Sequence, residues 1–155
     1  MITYSWPPLK APSVVFGQVL FLSVLGTPSA VDFIIFSFLG ACGVPLGLED
    51  GRIPKLAMSA SSMWDARHGP WRARLNQLNR GGAGAWSTRY NNLAQWLHID
   101  LGEVSKVVAV ATQGRYDANQ WVKKYKISYS VYGRKFTFYS IKRRVQVRED
   151  VLFQS

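Results

Sequence analysis

The stretch that most constrains the fold runs from Trp96 to Gly114, WLHIDLGEVSKVVAVATQG. Leu97, Ile99 and Leu101 alternate with His98 and Asp100, the period of two expected of a strand with one face in a core. Val107 to Ala111 is β-branched and almost continuously apolar, so it reads as a strand covered on both faces. Between them Gly102 to Ser105 makes a polar connection of hairpin-like length. The second strand leads through Thr112-Gln113-Gly114 into a charged and aromatic loop. The pattern predicts a hairpin in a β-sandwich, ending in a loop that carries exposed side chains.

The chain has 155 residues, room for about one domain with a core of its own. Six Trp and seven Tyr suit an all-β sandwich better than a helical bundle. The net charge of +10 favours anionic partners, namely phospholipid headgroups, sulfated glycans or nucleic acid. Its arginines cluster: Arg52, Lys55, Arg67, Arg72, Arg74 and Arg80 share one span, and Lys142, Arg143, Arg144 and Arg148 another. The bland alternative is a solvated basic surface without a dedicated partner.

The N-terminal third reads differently. Val14 to Leu25 is an apolar run of signal-peptide length, and Gly26 to Ala30 is a small-residue region after it. A second apolar run, Val31 to Ala41, precedes Cys42, the single cysteine. Residues 1–41 are therefore expected to be an export signal, which makes the protein secreted or extracellular. An N-terminal membrane anchor is the alternative, opposed by Gly26, Pro28 and Asp32 near the middle of the span. A gene-model artefact is a third reading.

From Cys42 onward, glycines and Pro45 punctuate a looped entry. Ile53 to Ser61 reads as a short strand, Ser62 to Trp71 as a shaped loop, Asn79 to Gly84 as a glycine-rich turn. Trp121 to Val131 alternates again, with Tyr125, Ile127, Tyr129 and Val131 on one face. Tyr132 to Lys135 is a turn, Phe136 to Tyr139 a further strand, and Val145 to Arg148 a short alternating piece in the tail.

In order and spacing, these residues resemble the discoidin domain, also called the coagulation factor 5/8 type C domain. The matching motifs are Cys42 with Pro45-Leu46-Gly47-Leu48-Glu49, Ala60-Ser61-Ser62, Ala73-Arg74-Leu75-Asn76 and Gly84-Ala85-Trp86. Gln95 to Leu101, Thr112-Gln113-Gly114 and Val122 to Ser130 complete the series. The resemblance covers 42–139 and leaves 140–155 as an unmatched tail. It implies a β-sandwich of jelly-roll topology. It also implies an extracellular, non-enzymatic adhesion module that contacts phospholipid headgroups, glycans, collagen or cell-surface proteins through loops, or spikes, at one end. The family's closing strands and last cysteine are unmatched here, so Cys42 lacks its family disulfide partner and the sandwich reads as incomplete. Two further readings follow: an accessory module of a larger secreted enzyme or receptor, and a non-functional gene-model fragment.

By position, the spikes are Ser62 to Trp71, Ser87 to Ala94, and Arg115 to Gln120. The candidate contact residues are Met63, Trp64, Arg67 and Arg72 in or beside the first, Tyr90 in the second, and Arg115 and Tyr116 in the third. An apolar tip flanked by arginines suits a membrane interface, with the ring inserted and the guanidinium groups on anionic headgroups. The bland alternative is that Trp64 or Trp71 packs beneath its own loop. Trp86, Trp96 and Trp121 flank strand signals and read as core. No Ser-His-Asp context, phosphate loop or paired carboxylates stand out. His68 and His98, the only histidines, have no ligand-spaced companions. No cofactor and no nucleic-acid partner are expected; Asp117 is a thin hint of calcium.

Overall fold

The computed structural model describes residues 19–24, 32–33, 38–39, 45–78, 81–105, 107, 109–110, 112–115, 117–118, 120–122, 124–141, 144–145 and 147–149. Cys42 and Tyr116, and with them the disulfide and one spike residue, lie outside the described residues.

Among the described residues, twelve strands follow one another along the chain. They are β1 (Val19–Val24), β2 (Asp32–Phe33), β3 (Phe38–Leu39), β4 (Met58–Ala60), β5 (Trp86–Ser87) and β6 (Trp96–Asp100). Then come β7 (Ala109–Val110), β8 (Lys124–Ser130), β9 (Thr137–Phe138), β10 (Ser140–Ile141), β11 (Arg144–Val145) and β12 (Val147–Glu149). No α-helix occurs among the described residues; three short 3-10 turns, Lys55–Ala57, Ala66–His68 and Pro70–Arg72, are the only helical pieces there. The all-β expectation holds.

The main sheet is antiparallel, in the order β12-β8-β1-β6-β4, with β9 sharing the β12 edge of β8. Three two-stranded pairs, β2-β5, β3-β7 and β10-β11, complete the set. Strand β1 bonds β6 on one side and β8 on the other. Val19–Val24 lies inside the stretch expected to be an export signal, yet here it is a central strand of the sheet. A short apolar, β-branched run carries the pattern of either.

Strand β6 behaves as its alternation predicts: Leu97 and Ile99 are buried, while Trp96, His98 and Asp100 are half-buried. Tyr125 and Ile127 of β8 are buried on the expected face, but Ser128 and Ser130 are buried too. That second face is covered too, and Ser128 pairs across the ladder with Phe138 of β9. The core gathers Leu48, Met58, Trp86, Leu97, Ile99 and Val107 with Tyr125 and Ile127 of β8.

The expected hairpin does not form. Strand β6 pairs with β1 and β4, whereas β7 pairs with β3, in a different sheet. Gly102 takes φ +76°, and its N–H donates to Asp100 Oδ1 at 2.8 Å. The aspartate thus closes β6 with a local turn, and the chain leaves the sheet instead of folding back along it. The strand expected over Ile53–Ser61 shrinks to β4, because Pro54 opens a 3-10 turn over its first half. The tail contributes β10, β11 and β12, the last of which pairs with Lys124–Lys126.

The register sets the two ends of the molecule. Ser23 of β1 faces both Trp96 and Lys126, and Val19 faces both Asp100 and Ser130. The segments leaving β4 and entering β6 and β8 therefore emerge at one end, which is where the three spikes lie. The turn after β8 lies at the other end, roughly 20 Å away along a seven-residue strand.

Candidate functional site

The first two spikes are fastened to each other by a polar knot at their base. Ser61 and Ser62 both donate to Oε1 of the buried Gln95, at 2.9 and 2.6 Å. Gln95 Nε2 donates in turn to Asn92 Oδ1 at 2.7 Å. Ser61 Oγ accepts from the Trp96 N–H at 3.0 Å, and Ser62 Oγ accepts from the Arg89 N–H at 3.1 Å. The fully buried Trp86 donates its indole N–H to the Ser62 carbonyl at 2.9 Å, and the Trp64 N–H donates to the Ser87 carbonyl at 2.8 Å. Buried polar groups that satisfy one another fix a loop base tightly. The Ala60-Ser61-Ser62 and Gln95-Trp96 motifs are the two halves of this one knot.

Above it the side chains turn outward. Trp64 is 63% exposed and Met63 40%; on the second loop Leu93 is 60% exposed and Tyr90 57%. Four large apolar groups thus stand in water on two loops locked together. Trp71 takes the other course. Its ring packs against the core and over Gly69, where an added Cβ would meet it at 2.3 Å, and Lys55 Nζ sits 3.9 Å from its centroid.

Asp65 organises the descent of the first loop. Its carboxylate accepts from the Arg67 N–H at 2.8 Å and lies 2.7 Å from His68 Nδ1. The His68 contact is the main cause that holds its pKa down, to about 2. Arg67 stays exposed, its Nη2 3.5 Å from Asp65 Oδ2.

The basic cluster of the sequence separates on folding. Arg72 donates from Nε to the Ala83 carbonyl at 2.5 Å and from Nη2 to the Leu78 carbonyl at 2.8 Å. Arg74 binds the carbonyls of Leu48, Ile53 and Trp71. Burial lowers the pKa of both guanidinium groups. The structure thus places Arg72 within the fold, bracing the glycine-rich turn, and leaves Arg67 and Arg89 as the exposed cations of the first two loops.

In the third spike, Arg115 Nε lies 2.5 Å from Asp117 Oδ1 and its Nη1 donates to Gln120 Oε1 at 2.9 Å. The Arg115 hydrogen bond holds the Asp117 carboxyl below its usual range, and the charge of His68 adds to this from the first loop. The third loop therefore stands beside the first. Both candidates for chemistry there, Arg115 and the calcium hint Asp117, are engaged with each other. Among the described residues no group of three or more His, Cys, Asp or Glu side chains gathers to hold a metal ion.

Sequence reasoning missed Leu93 and Gln95. Leu93 carries a signal, as a lone leucine just after the turn Asn91-Asn92; Gln95 stands in a matching motif, but its bridging role shows only when its partner serines are brought alongside.

A profile of the F5/8 type C domain matches residues 57–150, running past Tyr139 into the tail. Human coagulation factor V is 38% identical over 110 residues, 67% of this chain and 5% of that protein. Mouse lactadherin is 38% identical over 107 residues, 65% of this chain and 23% of that protein. The chain thus spans a small part of either relative. No solved structure matches it.

Proposed function

The chain belongs to the F5/8 type C domain family, and from that premise we propose that it is a non-enzymatic extracellular module that docks on anionic phospholipid surfaces through its loop end. The observation that carries this reading is the exposure of Trp64, Met63, Leu93 and Tyr90 on loops whose bases are locked by the Gln95 knot. A rigid base keeps apolar tips from folding inward, so a membrane interface is the partner that removes them from water. Burying a large apolar side chain contributes roughly 1.5–3 kcal/mol. Arg67 and Arg89 add about 1 kcal/mol each beside anionic headgroups. Among the described residues no helix is long and apolar enough to cross a membrane; the contact proposed is peripheral.

Flotation with phosphatidylserine-containing vesicles tests the proposal. Changing Met63 and Trp64 together to Ala lowers vesicle affinity on the order of a hundredfold and leaves the melting temperature nearly unchanged. Unchanged affinity, or a melt that falls by many degrees, rejects the assignment.

A further inference from the structure

At the end of the sheet opposite the loops, the β8–β9 turn lines an open cavity of about 700 Å³. Its described lining includes Tyr129, Ser130, Tyr132, Arg134, Lys135 and Thr137 and contains no carboxylate. We infer that this cavity is a second binding site, independent of the loops, for a sulfated saccharide.

Three features carry the inference. Tyr132 is 83% exposed, so its ring is a free apolar platform on which the C–H face of a sugar ring can lie. Arg134 and Lys135 are exposed beside it, and among the described residues neither has an ion-pair partner. Elsewhere the exposed Arg52 pairs with Asp50 and Lys55 lies on Trp71, so two adjacent cations without an anion are a local exception. Guanidinium and ammonium groups bind sulfate-like oxyanions by charge-assisted hydrogen bonds. Finally, Thr137 is held opposite Tyr129 by the strand ladder, which sets a hydroxyl at the cavity wall for sugar oxygens. An apolar platform, a few polar groups and a cavity of this size match a site for a small ligand.

Geometry separates this site from the membrane contact. A bilayer that receives Met63 and Trp64 meets the molecule at its loop end, and the turn stands roughly 20 Å of strand away, in water. A lipid headgroup in that same bilayer does not reach the turn. A glycan chain rising from the surface does.

The test uses the full chain and titration with a fully sulfated heparin tetrasaccharide, its desulfated counterpart, inorganic sulfate and an oligothymidylate. The sulfated tetrasaccharide is expected to bind about tenfold or more tightly than the desulfated one. Arg134→Gln with Lys135→Gln should lower that affinity at least about tenfold, and Tyr132→Ala about fivefold while sulfate binding is unchanged. Met63→Ala with Trp64→Ala should leave it unaffected. All the turn positions are exposed, and unchanged melts confirm that the variants fold; where Tyr132→Ala moves the melt, Tyr132→Ser replaces it. Equal binding of the desulfated sugar overturns the inference, as does a loop-end loss as large as that of the turn variant. Indifference to Tyr132, or equal binding of oligothymidylate through the same residues, overturns it too.

Discussion

The loop end and the turn end of this sheet both present aromatic rings beside cations, yet they are held in different ways. At the loop end the support is side-chain chemistry: two serines, a buried glutamine and an asparagine join segments more than thirty residues apart. At the turn end the support is the backbone ladder between β8 and β9, with Gly133 at φ +69° to close the turn. The difference teaches where each end is vulnerable. A side-chain knot can be undone by one substitution, whereas a ladder is lost only when its strand is.

Removing the strand common to both ends is the most drastic way to break this contrast. Strand β1 is the sole described bridge between β6 and β8, so a chain beginning at Cys42 leaves two open edges where the sheet was continuous. Its tryptophan fluorescence is expected to show no cooperative thermal transition, while the full chain shows one. A cooperative melt of the short chain at the same temperature would mean that β1 is dispensable.

A milder cut separates the ends. Gln95→Ala leaves Ser62 without its acceptor and Ser61 with only the Trp96 carbonyl at 3.4 Å, which costs about 1–3 kcal/mol, and loosens the join between the two loops, which then rests on the bonds to the Ser62 and Ser87 backbone and to Ser62 Oγ. Vesicle affinity should fall along with the melting temperature, whereas saccharide binding at the turn should not. Equal loss at both ends would show that the knot supports the whole sheet and not the loops alone.

The smallest effects are those of pH, and they sharpen the contrast by range. His98 lies beneath the sheet surface, its Nδ1 3.0 Å from Ser59 Oγ and its ring edge-on to Phe136. Burial lowers its pKa from 6.5, so the unfolded chain binds the proton more readily. This contribution to stability is present above the ordinary value and is lost as pH falls below it. Asp65 is depressed from 3.8 to about 2; its contribution is present above the ordinary carboxylate value and is lost only as pH falls toward 2. Melting temperatures should therefore show a weak mild-acid limb, flattened by His98→Asn, and a separate strong-acid limb, flattened by Asp65→Asn. A mild-acid limb that survives His98→Asn would assign it elsewhere.

Much of this was legible in the chain. The alternation over Leu97 to Leu101 and over Tyr125 to Val131 marked the two strands that became β6 and β8, since a strand's period appears directly in its residue order. Trp86 is fully buried and Trp64 exposed, as their places beside a strand signal and in a loop implied. The arginines were not legible. Arg67, Arg72 and Arg74 are the same residue type within eight positions, and nothing local distinguishes the exposed one from the two that bind carbonyls. Arg74 finds its acceptors at Leu48 and Ile53, and Arg72 at Leu78 and Ala83, partners that exist only once the loops have met.

By itself, then, the sequence determined the all-β class, the family, the inner face of β6 and the places of the two principal strands. These follow from local periodicity and from motifs in a set order. Only the tertiary structure decided that Val19–Val24 stands at the centre of the sheet, that β6 and β7 part company at Gly102, and that the loops are joined through Gln95. Each of these depends on which distant segment lies alongside, and pairing across the fold is settled by mutual burial and hydrogen bonding, which leave no mark on neighbouring residues.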